Sequence, residues 1–208
     1  MVDVEQVSEF YFIADMDNPV LTPDNFDVIV DAMDVSCVMI DDTVALNEAP
    51  EKARAIISHI QSHGVAVLIK NAADMAGAVG ADGIHLDMEQ NFDARFAEAH
   101  ARISGDAVTG VEVANSRHAA MTCAEKGADY IAFACQDDEM IEMIGWWAEL
   151  FEIPSVAWRV IEPEFAGRCS EAGVDFIALD LEEIAIGASP MDALAAFEAA
   201  IDNVSGAT

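Results

Sequence analysis

An α/β chain closed into a (β/α)8 barrel, the TIM barrel architecture, is predicted by three features of the sequence. Eight short apolar runs recur along the chain, amphipathic stretches separate them, and a Gly-x-Asp pattern returns about every 46 residues. The runs begin about 17 to 30 residues apart, the length needed by a strand, a helix and two short loops. They occupy residues 10–14, 36–40, 65–69, 83–86, 107–111, 130–134, 155–158 and 176–179. Short, continuously apolar segments of this kind are strands covered on both faces, as in a parallel sheet wrapped by helices.

The intervening stretches carry helical periodicity. Residues 50–63 place Ala53, Ile56, Ile57 and Ile60 on one face, and residues 116–126 do the same with Ala119, Ala120, Cys123 and Ala124. Gly80-Ala81-Asp82, Gly127-Ala128-Asp129 and Gly173-Val174-Asp175 each close a helix and open a strand. The glycine suits a left-handed helix end, so the repeat is read as a structural device. A doubly wound open sheet is the rival architecture, but no G-x-G-x-x-G follows the first run, and eight evenly spaced units favour closure. One domain over residues 1–208 is expected, with residues 203–208 as a short flexible tail.

Composition narrows the function. Of 208 residues 53% are apolar, enough for a sizeable core, and 39 acidic residues stand against 9 basic ones. The formal charge of -30 repels a phosphate backbone or an anionic membrane, leaving a small-molecule ligand as the expected partner. No apolar run reaches 18 residues, and residues 1–5 lack the basic start of a signal peptide, so a cytoplasmic location is expected. Cys37, Cys123, Cys135 and Cys169 form no C-x-x-C pair and are read as buried free thiols.

In such a barrel the chemistry sits at the C-terminal ends of the strands. The residues following the runs are Asp15, Asp41 and Asp42, Lys70 and Asn71, Asp87 and Glu89, Glu112, Gln136 to Asp138, Arg159, and Asp180 with Glu182 and Glu183. The mouth is therefore acidic. Strand alternation turns Gly83, His85 and Asp87 inward, puts Glu112 on the face of Gly110, and puts Met39 on the face of Asp41 and Thr43. An inward glutamate at the rim needs a cation, a donor or water to offset its desolvation. His85, Glu112 and Lys70 are the catalytic candidates; Asp15, Met39, Asp41, Asn71, Asp87, Arg159 and Asp180 are the binding candidates.

Other groupings are read as structural. His59 and His63 have the i, i+4 spacing of a metal pair, but no H-E-x-x-H motif surrounds them, and a solvated helix end is expected. Trp146 and Trp147 are read as helix-to-barrel packing, a homo-oligomer contact being the other reading. No G-x-S-x-G elbow and no Walker-type phosphate loop is present.

Phe10-Tyr11-Phe12-Ile13-Ala14-Asp15, Ala78-Val79-Gly80-Ala81-Asp82-Gly83-Ile84-His85-Leu86, Gly110-Val111, Glu125-Lys126-Gly127-Ala128-Asp129-Tyr130-Ile131 and Ile153-Pro154-Ser155-Val156-Ala157 resemble the thiamine phosphate synthase family, in order from about residue 10 to 185. That family is a TIM barrel joining a pyrimidine pyrophosphate to a thiazole phosphate, with magnesium holding the leaving pyrophosphate. The resemblance implies the fold. Its site pattern is altered here. Met39, Asp41 and Thr43 stand where the family has Gln-x-Arg-x-Lys to grip pyrophosphate, Lys70-Asn71 stands for its Asn-Asp, and Asp87-Met88-Glu89-Gln90 stands for its Gly-Gln-Glu-Asp. Glu112 replaces a serine, and Arg159-Val160 replaces the Gly-Gly of a phosphate loop.

The expectation is a thiamine-phosphate-synthase-like barrel that has lost the magnesium and pyrophosphate chemistry. The alternative is an active synthase in which Asp87, Glu89, Lys70 and Arg159 take relocated roles, with Asp87 and Glu89 as magnesium ligands. A third reading has the acidic mouth hold a cationic ligand or divalent metal through Asp15, Asp41, Glu112 and Asp180.

Overall fold

Eight parallel strands close into a ring in a computed structural model that describes residues 8–89, 91–102, 107–135, 137–184 and 189–205. They are β1 (Glu9–Ala14), β2 (Val35–Ile40), β3 (Ala66–Lys70), β4 (Gly83–Leu86), β5 (Val108–Val113), β6 (Tyr130–Phe133), β7 (Ser155–Ala157) and β8 (Phe176–Asp180). Each pairs with its sequence neighbours, and β1 pairs with β8 to complete the barrel. The apolar runs locate every strand but misjudge some ends. β3, β5 and β8 run on through Lys70, Glu112 and Asp180, inward polar residues that an apolar criterion reads as loop.

Ten helices separate and cover the strands: α1 (Pro23–Val30), α2 (Thr43–Glu48), α3 (Pro50–Ser62), α4 (Ala73–Val79), α5 (Phe92–Arg102), α6 (Arg117–Glu125), α7 (Asp137–Leu150), α8 (Pro163–Glu171), α9 (Leu181–Ile184) and α10 (Pro190–Ser205) among the described residues. Proline opens α1, α3 and α8, where its missing N–H has no helical partner to lose. Asp42 caps α2 by accepting from the Val44 and Ala45 N–H groups at 2.9 and 3.0 Å. Residues 203–205, expected in a tail, are helical instead. Leu194, Phe197 and Ile201 of α10 are buried at three- and four-residue spacing, and that apolar stripe carries the helix to Ser205. Residues 206–208 lie outside the described part.

Strand alternation divides the apolar residues into two cores. Tyr11, Ile13, Met39, Leu68, Tyr130, Ala132, Val156 and Trp158 fill the barrel. Residues of opposite parity, such as Phe12, Ile40, Ile69, Ile131 and Leu179, face the helices. At the N-terminal end of the strands the inner core leaves an apolar cavity of about 230 Å³ bordered by Tyr11, Leu68, Val156 and Phe176. The four cysteines are free and buried, and burial pushes the Cys135 thiol up to about 11 and the Cys169 thiol up to about 12. Trp147 is buried and stacks on Phe151 at 4.0 Å, so it packs within the molecule. No helix among the described residues is long and apolar enough to cross a membrane.

The Gly-x-Asp repeat performs two tasks. Gly80, Gly127 and Gly173 have φ of 80°, 97° and 89°, the left-handed region that ends a helix without a β-carbon clash. Two residues later the aspartate fastens its strand to the preceding one. Oδ2 of Asp82, Asp129 and Asp175 accepts the backbone N–H of Val67, Thr109 and Ser155, each at 2.7 Å.

Candidate functional site

The C-terminal strand ends bring the predicted candidates to one face. Asp15 follows β1, Asp41 follows β2, Lys70 ends β3, Asp87 follows β4, Glu112 lies in β5, Arg159 follows β7 and Asp180 ends β8. Met39 is fully buried inside the barrel and contributes packing below the rim.

One carboxylate organises the two cations at this face. Asp41 Oδ2 accepts from Lys70 Nζ at 2.9 Å and from Arg159 Nη2 at 3.1 Å, across 118 residues of sequence. Arg159 Nη1 also reaches Asp180 Oδ2, and Glu183 Oε1 at 3.5 Å. Asp180 is buried, and its other oxygen accepts the Glu182 N–H at 3.1 Å, starting α9. Arg159 adopts a φ of 53°, uncommon for a residue with a β-carbon, at a place where the resembling family has glycine.

Asp15 and Glu182 have no cationic partner among the described residues. Partial burial raises the Asp15 carboxyl above its usual range, reinforced by Asp42, Asp41, Asp180 and Asp17. Burial likewise raises Glu182, although Asn18 Nδ2 at 2.7 Å and the Asp15 N–H at 3.2 Å donate to it. Both shifts come first from burial, with neighbouring carboxylates adding to it.

Below the rim, His85 is fully buried and stacks on Trp158, ring centroids 4.2 Å apart and nearly parallel at 4°. Its Nδ1 is 2.8 Å from the Tyr130 hydroxyl, which is 3.1 Å from the Tyr11 hydroxyl. Its Nε2 points toward Glu112 Oε2 at 3.7 Å, too far for a hydrogen bond, and is a buried polar atom without a partner. Burial lowers the His85 pKa below its ordinary value, an effect that Glu112 offsets only in part.

A stability effect follows. The unfolded chain takes up the His85 proton near pH 6.5, the folded chain only at lower pH, so the contribution is present above about 6.5 and is lost as pH falls toward the folded value. Urea unfolding between pH 7.5 and 5.5 should show a flatter stability profile for His85→Phe than for the unaltered chain. The difference in slope is at most about 1.4 kcal/mol per pH unit. Parallel profiles would mean that burial does not disfavour the imidazolium.

Magnesium does not fit the candidate ligands. Asp87 Oδ1 accepts from both Nη atoms of Arg95 at 3.0 Å, and Oδ2 accepts from Asn71 Nδ2 at 2.7 Å. Burial alone would raise this carboxyl, but Asn71 and Arg95 hold it below its usual range. A guanidinium already occupies the position from which a divalent cation would approach. Glu89 is exposed at the outer rim beside Met88 and the same Arg95. Asp87 therefore ties the β4 loop to the β3 loop through Asn71 and to α5 through Arg95.

Sequence reasoning placed His85 and Glu112 inside the barrel, where they face each other, turned Asp87 inward although its carboxylate pairs with Arg95 of α5 and Asn71, and missed four neighbours of the site. Tyr130 and Trp158 were accessible by parity, since both continue inward positions of their strands. Arg95, on α5, and Asn18, in the loop after β1, carried no local signal. Of the expected group at residues 136–138, Gln136 lies outside the described residues, and Asp138 pairs with Arg168 of α8.

Comparison with known proteins agrees with this architecture. The family model described as Thiamine monophosphate synthase matches residues 10–180. A thiamine-phosphate synthase of Rhodospirillum centenum is 34% identical over 164 residues, covering 72% of this chain and 76% of the relative. One from Erythrobacter litoralis is 33% identical over 144 residues, covering 64% and 66%. Among solved structures, thiamine phosphate pyrophosphorylase from Pyrococcus furiosus superposes with a TM-score of 0.72 at 20% identity, over 97% of this chain and 99% of that one. A tryptophan synthase α-subunit mutant from the same organism reaches 0.67 at 12% identity, with the same coverage, so these likenesses speak for the fold.

Proposed function

The chain belongs to the thiamine monophosphate synthase family, and we propose that within it this barrel has given up magnesium and pyrophosphate chemistry and holds a small cationic ligand at its acidic mouth. The observation that carries this reading is Asp41, which takes both Lys70 and Arg159 as partners. A pyrophosphate entering here would have to displace that carboxylate and then sit beside Asp180 and Glu183, which also face Arg159. Like charges about 4 Å apart oppose each other by about 4 kcal/mol at an effective dielectric of 20.

A cation meets the opposite field. Asp15 and Glu182 have raised proton affinities, and an N–H donor placed between His85 Nε2 and Glu112 would satisfy the unpartnered imidazole nitrogen. An ammonium or amidinium group has the charge and the donors for both. The proposal includes a small-molecule partner and a cytoplasmic location, in keeping with the charge of -30.

The second reading is an active synthase, and the names of the relatives at 33% and 34% identity favour it. Incubating purified protein with the pyrimidine pyrophosphate, the thiazole phosphate and magnesium separates the two. No thiamine phosphate above a protein-free blank is expected, and product would sink the first reading. Calorimetry with magnesium pyrophosphate should be silent, while a primary or a secondary alkylamine at millimolar concentration should release or absorb heat. Silence for both amines would remove the cationic ligand from the proposal.

A further inference from the structure

Away from the mouth, α1 and α3 bring together two histidines and an aspartate. His59 lies in the last turn of α3 and His63 caps it, one turn further on. Asp27 comes from α1, on the far side of β2 in sequence. His59 Nε2 is 2.8 Å and His63 Nε2 is 3.0 Å from the same Asp27 Oδ1, and all three atoms lie within 4.8 Å of one another. Only His63 makes a hydrogen bond of acceptable geometry to that oxygen. His59 Nε2 is buried and makes no hydrogen bond, although it lies 2.8 Å from Asp27 Oδ1. The two imidazoles stand edge to face at 5.1 Å, and the Phe26 ring lies 6.4 and 5.9 Å from them as an apolar wall.

We propose that Asp27, His59 and His63 form a binding site for a first-row divalent transition metal, with zinc the best fit. Zinc bonds of 2.0–2.1 Å in tetrahedral geometry separate ligand atoms by about 3.3 Å, so each imidazole nitrogen has to draw back from Asp27 Oδ1 by only a few tenths of an ångström. Two imidazoles and one carboxylate suit zinc, copper or nickel, whereas magnesium and calcium prefer oxygen donors throughout. Asp27 is half exposed, which leaves the fourth position open to water. The pairing spacing on α3 suggested a metal pair by itself, and the third ligand from α1 distinguishes the structure from a solvated helix end.

The site is separate from the mouth. His63 precedes β3, and with Glu9, Asp34 and Val65 it borders a shallow cleft at the N-terminal ends of the strands. A bound ion would clamp α1 to α3 around β2, and because the unfolded chain has no preformed site, binding would stabilise the fold.

The test uses the full chain stripped of metal by a chelator and titrated with zinc chloride in a non-coordinating buffer at pH 7.5. One ion per chain should bind at micromolar strength or tighter and raise the melting temperature, and magnesium chloride at the same concentration should do neither at this site. Cobalt(II) in place of zinc should give the visible absorption of a four-coordinate ion. Asp27→Asn and His63→Gln should each weaken zinc binding at least about tenfold, with His118→Gln as a control that leaves it unchanged. Asp27→Asn alters an exposed side chain, so its fold should persist even if His63→Gln loosens α3. Absence of zinc binding at 100 micromolar, or tight binding that survives both ligand substitutions, overturns the proposal.

Discussion

A chain carrying Asp41→Arg and Thr43→Lys binds magnesium pyrophosphate about 100-fold more tightly than the unaltered chain. Asp41 accepts from Lys70 and Arg159 together, so its loss frees Lys70 and one side of the Arg159 guanidinium while the new side chains add two cations. The formal charge at positions 41 and 43 rises by three units, from −1 to +2. Each would be worth about 4 kcal/mol at 4 Å and an effective dielectric of 20. Solvent screening at a rim where Lys70 and Asp41 are partly exposed reduces this to about 1 kcal/mol each. The sum, about 3 kcal/mol, corresponds to roughly 100-fold in affinity. Calorimetry at fixed ionic strength is the measurement, with Asp41→Asn as the intermediate step. Equal affinities in all three proteins would mean that the shape of the mouth, and not its charge, excludes pyrophosphate.

Gly110→Ala destabilises the barrel by about 3 kcal/mol. Gly110 faces inward on β5 beside Tyr130 of β6. A β-carbon there would lie 1.8 Å from Tyr130 Cζ, so the phenol ring must leave its position. Moving it separates the Tyr130 hydroxyl from His85 Nδ1 and from the Tyr11 hydroxyl, and leaves two further buried polar groups unpaired. Overpacking by one carbon costs about 1–3 kcal/mol, and each orphaned buried group adds about 1 kcal/mol or more. Urea unfolding of Gly110→Ala, Tyr130→Ala and the double variant forms a cycle. The double variant should be less destabilised than the sum of the singles, because removing the ring empties the space that the new methyl needs. Strict additivity would show that the ring yields without loss.

Strand order and barrel closure were legible because both depend on local signals: short apolar runs, helical periodicity and a glycine ahead of β4, β6 and β8. The inward positions of His85 and Glu112 followed from alternation, a property of any single strand. Pairings across the ring were not legible. Asp41 and Arg159 meet because β2 and β7 face each other over the mouth, a relation that neither segment encodes locally. Arg95 reaches Asp87 from a helix that carries no other sign of the site, and Asp27 reaches His59 and His63 across an intervening strand. The two neighbours that parity could have supplied, Tyr130 and Trp158, were overlooked because aromatic residues at strand ends read as ordinary core.

The aspartates at 82, 129 and 175 give the ring a grain. Each exchanges a carboxylate bond with the start of the preceding strand, so β3 is fastened to β4, β5 to β6 and β7 to β8. Strands tied in twos open and close in twos, and transient fluctuations should part the barrel between these couples before they split one. The cooperative unit of such a wall is then two strands wide, and the rim residues on a tied couple, Lys70 with His85 and Asp87 among them, should move as one body, while Asp41, after the untied β2, is linked to two of the couples through Lys70 and Arg159.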